Sequence, residues 1–211
     1  MAAALAHRTA NVVSSVNFDI RAFDTLGEES ILFGTVLGAT LLLRRAHDER
    51  RRRARAESVM PTTRLFGTVL LPVALVVGVY IVAHGQLSPG GGFQGGVILA
   101  TALHLAYVAA DYRALKRLRP LTALDVADSL AAASYSLIGL AGLAGLVAGG
   151  AFLENVLPLG TFNTLTSGGT VPVLNAAVGV EVACGLIALL AHFLSQAVEL
   201  TESDRHENGD A

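Results

Sequence analysis

The sequence is poor in charged residues and in cysteine. Only 15% of its 211 residues are charged, whereas 53% are hydrophobic, and its mean hydropathy is +0.56. This balance argues against a soluble domain and is typical of an integral membrane protein. The single cysteine, Cys184, excludes a disulfide within the chain, so cysteine usage says nothing about the redox compartment.

The chain also lacks the motifs of metal, nucleotide and nucleophile sites. Its histidines are scattered, and the one cysteine has no metal-site spacing. The run Gly90-Gly91-Gly92 is not a phosphate-binding loop, because no Gly-Lys-Ser/Thr follows it and no strand precedes it. We therefore expect no catalytic residue, no metal and no cofactor. The N-terminus does not read as a secretory signal, so we expect the first transmembrane helix to direct targeting.

Five apolar segments approach or reach the roughly 20 residues that a membrane-spanning helix needs. They lie near 25–43, 66–83, 93–110, 129–149 and 171–194. Ahead of them, Val12, Val16, Ile20 and Phe23 recur at helical spacing within the polar segment 11–23. This pattern predicts an amphipathic helix on the membrane surface or on a partner. The expected fold is all-α: a polytopic membrane protein with about five transmembrane helices and an N-terminal amphipathic helix.

Basic residues are concentrated in two loops. Residues 44–64 hold eight and residues 111–120 hold four of the 15 lysines and arginines. Two spans separate these loops, so both lie on one face, which the positive-inside rule makes cytoplasmic. The N-terminus and the loop between the second and third spans are then outside, and the C-terminus is inside. Nucleic-acid binding is not expected, because short basic loops beside membrane spans are the usual signal of topology.

The most distinctive stretch is the glycine loop, which runs from His84 to Gly96 and joins the second and third spans. Glycine suits backbone that takes positive φ or approaches another backbone closely. The loop could be a tight helical hairpin, a docking surface or an ion-lining surface, and we expect chiefly packing between subunits. The residues expected to pack in this way are His84, Pro89, Gly90, Gly91, Gly92, Phe93, Gln94, Gly95 and Gly96, with Gly139 and Gly142 of the fourth span.

Ionisable residues inside membrane spans are costly and mark candidate functional positions. The candidates for an ion or proton path are Glu28, Asp24, His104, Glu181 and His192. Glu181 and His192 share one face of the last span, with the carboxyl near mid-membrane and the imidazole three turns further on. The alternatives are a neutral, hydrogen-bonded His104 and a Glu181 that pairs with a charge or bonds to another subunit.

Helix capping offers a structural explanation for other acidic residues. Thr25 and Glu28 fit a capping box, in which the carboxyl would lie at the positive end of the helix dipole. A proton-handling role for Glu28 remains equally open. Asp125 and Asp128 begin the fourth span, where capping of the helix N-terminus explains them.

Residues 60–198 carry the motifs of a known family. These motifs are Pro61-Thr-Thr-Arg-Leu, Gly78-Val-Tyr, the glycine loop continued to Ala100, and Asn175 with Val178-Gly-Val-Glu-Val182. Together they strongly resemble the B subunit of Mrp-type multisubunit Na+/H+ antiporters, which has relatives in membrane-bound hydrogenases. Residues 11–45 resemble instead a segment near the C-terminal end of the A subunit, or a small hydrogenase subunit. Within them, Asp19-Ile-Arg-Ala-Phe-Asp-Thr-Leu-Gly-Glu-Glu29 follows that family's pattern apart from Ile20 and Ala22.

The resemblance implies a subunit of a bacterial plasma-membrane complex that exchanges Na+ or another monovalent cation for H+. Its partners would be antiporter subunits of the A, C, D, E, F and G types. The resemblance also implies that the acidic residue at Glu28 is important for antiport. The expected organisation is an A-like segment at 1–45, a basic linker at 46–60, a B-like four-helix domain at 61–198 and a mobile acidic tail at 199–211. The alternatives are a purely structural assembly subunit and a membrane-arm subunit of a complex I-like hydrogenase.

Overall fold

A computed structural model of the chain describes residues 1–43, 59–110, 121–144 and 150–207. Most of both basic loops, at 44–58 and 111–120, lies outside these residues. Within them the regular secondary structure is helical, so the prediction of an all-α fold is confirmed. The helices are α1 (Ala2–Ala6), α2 (Val12–Ser15), α3 (Ala22–Leu42), α4 (Pro61–Ala83), α5 (Gly92–Ala110), α6 (Leu121–Leu143) and α7 (Val171–Glu207).

Four helices of the described chain are long and apolar enough to cross a membrane. They are Pro61–Ala83, Gly92–Ala109, Thr122–Leu143 and Val171–Phe193, so the chain is a multi-pass membrane protein. These four correspond to the second to fifth predicted spans. The predicted first span is α3, which has 21 residues but carries Glu28 and Glu29 in its first half. Because these two residues lower its hydropathy, α3 is not among the four, although it packs against α6 and α7.

The central helix of the bundle is α7. It contacts α3, α4, α5 and α6, and 61% of an 18-residue stretch within Val171–Phe193 is buried, compared with 11% of such a stretch within Pro61–Ala83. The helices α4 and α5 form one hairpin, and α6 and α7 form a second around the irregular segment 150–170. Side chains near the middle of α7 are therefore enclosed by the chain itself.

Three segments meet at one end of the bundle, which we call the glycine-loop end. The Gln86 carbonyl accepts hydrogen bonds from the backbone N–H groups of Ala10 (3.1 Å) and Asn11 (3.0 Å). The Gln86 side-chain amide donates to the Leu165 carbonyl at 2.8 Å. The N-terminal segment, the glycine loop and segment 150–170 thus lie together at this end.

The predicted amphipathic helix at 11–23 is interrupted. A π-helical turn, Val16–Ile20, follows α2, and the backbone breaks at Arg21 (φ −126°, ψ 35°) before α3 begins. The predicted apolar stripe faces outward, because Ile20 and Phe23 are exposed. The bundle buries instead a face that carries Ser14, Ser15 and Phe18.

The start of α3 excludes the capping box. Its N-cap is Arg21, and Thr25 lies inside the helix, where its hydroxyl donates to the Asn17 carbonyl at 2.7 Å. The capping interpretation of Glu28 is therefore wrong. The helix α6 also begins earlier than predicted, at Leu121, so that Asp128 lies about two turns inside it and does not cap it.

The last helix is longer than predicted. It continues to Glu207, into the segment that was expected to be a mobile tail. The sequence contains neither glycine nor proline between Gly185 and Gly209, so nothing of the usual kind stops the helix earlier.

Candidate functional site

Two carboxyl groups are buried side by side between α3 and α7. Glu29 is 2% exposed and Glu181 is 1% exposed. The two carboxyl groups are close enough to interact with each other, and their four oxygens have no other hydrogen-bond partner within the described part of the chain. Neighbouring carboxylates cannot both stay charged in an apolar setting without a counter-ion. The pair therefore has to hold a proton or a cation.

The register of α3 decides which glutamate enters the pair. Its buried positions are Ala22, Thr25, Glu29 and Val36, which form one stripe at helical spacing. Glu28 is one residue away from this stripe, or about 100° around the helix, and it is exposed. Asp24 is exposed too and forms an ion pair with Arg21. The structure thus brings Glu29 to Glu181 and leaves the two predicted α3 candidates on the outer face.

Asp128 of α6 extends the pair to a carboxyl cluster of Glu29, Glu181 and Asp128. It interacts electrostatically with Glu181. Its Oδ1 lies 3.8 Å from where a Cβ on Gly185 would stand, which is an ordinary contact distance and places Asp128 beside the turn of α7 that follows Glu181. No group of three His, Cys, Asp or Glu side chains in the described ranges is arranged to hold one metal ion. Asp128 therefore borders the pair and does not complete a metal-ligand set with it.

Two hydroxyl groups border the pair on the side of the glycine-loop end. The Tyr135 hydroxyl of α6 is fully buried, donates to the Ala22 carbonyl at 3.0 Å and lies near Thr25 and Glu29. Thr25 is one turn before Glu29 on the same buried stripe of α3. These groups attach α3 to α6 and give the carboxyl pair polar neighbours.

The candidate histidines inside the spans lie on other parts of the bundle. His104 is a partly buried residue of α5, and its Nε2 has no hydrogen-bond partner among the described residues. His192 lies on α7 eleven residues after Glu181, which is about 16 Å along the helix axis. Its Nδ1 is 2.7 Å from the Ala188 carbonyl oxygen. Neither histidine belongs to the carboxyl cluster.

The glycines at the end of the glycine loop make contacts within the chain. A Cβ on Gly92 would lie 2.5 Å from the Asn175 carbonyl oxygen, and one on Gly95 would lie 2.4 Å from Cγ2 of Val82. Gly96 would meet Val182 at 2.7 Å. These positions must be glycine because α5 approaches the backbones of α4 and α7 closely.

Packing between subunits stays a prediction for these glycines, and the structure adds that most of them pack within the chain. Added Cβ atoms on Gly139 and Gly142 would lie 2.6 Å from the Phe152 ring and the Ala151 carbonyl oxygen, respectively, so these glycines also serve packing within the chain. Pro89 and Gln94 are exposed and remain available for contact with another subunit. Among the remaining predicted packing residues of the loop, Gly91 is buried. His84, Gly90 and Phe93 are partly buried.

Comparison with known proteins identifies the family. A family model described as a domain related to the MnhB subunit of the Na+/H+ antiporter matches residues 62–188. The chain belongs to this MnhB-related family. The matched range contains Asp128 and Glu181 but begins after α3, the helix that carries Glu29.

Individual relatives extend the likeness over most of the chain. The uncharacterized protein MJ1307 of Methanocaldococcus jannaschii is 27% identical over 205 residues, covering 83% of this chain and 74% of the relative. A chain of the membrane-bound sulfane sulfur reductase, an archaeal respiratory membrane complex, superposes with a TM-score of 0.74 at 32% identity, covering 89% of this chain and 79% of that one. A chain of the Mrp complex from Dietzia sp. DQ12-45-1b superposes with a TM-score of 0.65 at 28% identity. The superposition covers 88% of the present chain but only 21% of the Dietzia chain.

Proposed function

We propose that this chain is a membrane subunit of a complex that exchanges Na+ or another monovalent cation for H+. In this proposal the Glu29–Glu181 pair is one of the complex's ion-exchange sites. The observation that carries it is the pair itself, since both carboxyls are buried in an MnhB-family chain and have no hydrogen-bond partner in the described residues other than each other. A proton neutralises one carboxylate, and a monovalent cation bound between the oxygens replaces that proton.

The proposal makes the chain a transporter subunit without a cofactor of its own, working with other antiporter subunits in the lipid bilayer. Its surface supports this, because the membrane-length α4 exposes large apolar side chains along its length, among them Leu65, Phe66, Val73, Val76 and Val79. Such surface is stable only against lipid or a neighbouring protein. We place the glycine-loop end outside and the C-terminus in the cytoplasm of a bacterial plasma membrane, because the two basic loops then follow the positive-inside rule.

The test replaces each glutamate of the pair by glutamine in the complete complex. Glu29→Gln and Glu181→Gln keep the size of the side chain and remove its charge. We expect Na+/H+ antiport in everted membrane vesicles to fall to the background level, while native gels show an unchanged complex. The matched control is Glu28→Gln, one residue away on the exposed face of the same helix, which we expect to leave antiport unchanged.

The opposite pattern would contradict the proposal. If both pair variants transported normally while Glu28→Gln did not, the outer face of α3 would carry the ion site. If all three variants transported normally, the carboxyls would be silent, and a structural role in assembly would be the better account.

A second candidate function is a membrane-arm subunit of a respiratory complex. It is favoured by the superposition on the archaeal sulfane sulfur reductase, which has the higher TM-score and identity of the two solved structures. In such a complex the carboxyl pair would move ions while other subunits carry out the redox reaction. Purification in mild detergent distinguishes the two, since a redox subunit in the isolated complex would favour the respiratory role and antiporter subunits alone would favour antiport.

A further inference from the structure

Buried polar groups without partners are concentrated at the glycine-loop end. Four side-chain oxygens there lack a hydrogen-bond partner in the described part of the chain, although their residues are no more than 1% exposed. They are Ser15 Oγ, Gln86 Oε1, Ser167 Oγ and Thr170 Oγ1. Folded proteins leave few such groups unsatisfied and usually supply ordered water to them. Four of them at one end indicate hydration inside the bundle.

Hydrogen bonds made by neighbouring atoms fix the residues that carry these oxygens at this end. The Gln86 amide donates to the carbonyl of Leu165, two residues before Ser167. Thr170 follows closely and directly precedes α7, and its N–H donates to Asn155 Oδ1 at 2.9 Å. Residues from the glycine loop and from segment 150–170 are thereby fixed beside one another.

The N-terminal segment contributes the fourth oxygen and the connection towards the carboxyl pair. Ser15 follows Ser14, whose Oγ accepts a hydrogen bond from the Asn175 amide at 3.0 Å. Two residues after Ser15, the Asn17 carbonyl accepts the hydroxyl of Thr25 at 2.7 Å. Thr25 is itself 3% exposed and lies on the α3 stripe that leads to the carboxyl pair.

The last step to the pair is made of hydroxyl groups. Thr25 lies one turn before Glu29, and the buried Tyr135 hydroxyl lies near both. On the far side of the pair, Asp128 and then the exposed Asp125 lead along α6 towards the opposite end of the bundle. Polar groups therefore lie on both sides of the pair along the length of the bundle.

We infer that these groups form a hydrated polar route by which protons reach the carboxyl pair from the glycine-loop end. The polar route consists of Ser15, Gln86, Ser167, Thr170, Thr25 and Tyr135. The inference rests on the proposed function, because the proposed function makes the Glu29–Glu181 pair the site to which protons travel. Its outer part, formed by Ser15, Gln86, Ser167 and Thr170, carries water between the N-terminal segment, the glycine loop and segment 150–170. Thr25 and Tyr135 supply the hydroxyl groups nearest to the carboxyl pair.

Thiol accessibility tests the outer part without measuring transport. In a Cys184→Ala background, Thr170→Cys and Ser167→Cys place single thiols on the route. The matched control is Val171→Cys, next to Thr170 and equally buried, but in the apolar core. Thiolates, which need water to form, are the reactive species. We expect small cationic 2-aminoethyl methanethiosulfonate to modify both route thiols in the intact complex about tenfold or more faster than the control.

The same reagent can overturn the inference. If Thr170→Cys and Ser167→Cys react as slowly as Val171→Cys in complexes that assemble normally, the outer part is dry and no route exists. Because this measurement does not depend on antiport, it stays decisive even if the glutamine variants of the pair refute the proposed function.

A second variant tests the hydroxyl next to the pair. Tyr135→Phe keeps the ring in the core and removes only the hydroxyl, while Tyr107→Phe on α5 is the control. We expect Tyr135→Phe to lose most of the maximal antiport rate, with an intact complex and an unchanged apparent affinity for Na+, since the carboxyls remain. A maximal rate equal to that of Tyr107→Phe would remove Tyr135 from the route.

Discussion

At the scale of single residues, Asn175 connects three parts of the chain with one side chain. Its Oδ1 accepts from the Gly92 N–H at 2.9 Å, and its Nδ2 donates to Ser14 Oγ at 3.0 Å and to the Val171 carbonyl at 3.1 Å. All of these groups are buried, so losing the amide leaves unpaired donors and acceptors that cost about 1–3 kcal/mol each. The contact of the glycine loop with α7 depends on this residue.

Gly92 tolerates no side chain. In Gly92→Ala the added Cβ would lie 2.5 Å from the Asn175 carbonyl oxygen and 2.6 Å from the Val178 Cβ. Since backbone cannot move aside as a flexible side chain can, we expect a loss of about 1–3 kcal/mol or more in the free energy of unfolding. Fluorescence size-exclusion chromatography of tagged protein in detergent should show much less intact complex.

The control for this substitution is Gly27→Ala on α3. Nothing lies within 4 Å of its added Cβ, so alanine should be neutral or should stabilise the helix by up to about 1 kcal/mol. Equal amounts of intact complex from Gly92→Ala and Gly27→Ala would show that the close approach of α5 to α7 is not needed.

The burial of a candidate residue could be predicted from the sequence where the signal was a property of one helix, whereas its role in ion transport stays a prediction. Glu181 stands out because it is a carboxyl in the middle of an apolar span, and the structure places it in the buried pair. The choice between Glu28 and Glu29 depends on which face of α3 meets α7, and adjacent glutamates give no periodicity to decide it. The buried stripe through Thr25 was the available signal, but the capping interpretation assigned Thr25 to the helix end.

At the scale of elements, Asn11 is one of the residues that anchor the N-terminal segment. Its Nδ2 donates to the carbonyls of Gly85 and Ser88, both at 2.8 Å, and its Oδ1 caps α2 by accepting from Val13 N at 3.1 Å and Ser14 N at 3.4 Å. One side chain thus starts a helix and binds it to the glycine loop.

Removing this anchor should loosen the N-terminal segment. We expect Asn11→Ala to cost about 1–2 kcal/mol through the lost cap, with a further loss from the two loop carbonyls. Hydrogen exchange of residues 1–20 should become faster in the purified complex. Asn17→Ala is the control, because its side chain is exposed and its backbone carbonyl still accepts from Thr25. Unchanged exchange in Asn11→Ala would contradict the anchoring role.

The sequence predicted the helices well and their ends less well. Apolar length identified α4, α5 and α7, because a membrane span is a long and uniform signal. The π-helical turn at Val16–Ile20 and the break at Arg21 were not predicted, since they depend on contacts with α3 and α7 and have no local glycine or proline to mark them. The contacts of the glycine loop within the chain were not predicted either, because the spacing of glycines indicates close approach but does not identify the helix that approaches.

At the scale of the whole molecule, the account requires a defined orientation in the membrane. A C-terminal fusion to green fluorescent protein should be fluorescent, and a C-terminal fusion to alkaline phosphatase should be inactive, because the C-terminus is expected in the cytoplasm. An active phosphatase fusion together with a non-fluorescent green fluorescent protein fusion would show that the topology is the inverse of the expected one. The glycine-loop end would then face the cytoplasm, and the polar route would begin there.

The central claim is that the Glu29–Glu181 pair exchanges a proton for a cation, and infrared difference spectroscopy of the purified complex tests it most directly. Addition of Na+ should remove a signal from the C=O stretch of a protonated carboxyl, as the cation displaces the shared proton. That change should be absent in Glu29→Gln and Glu181→Gln and present in Glu28→Gln. A Na+-induced carboxyl signal that persists in both pair variants would contradict the account.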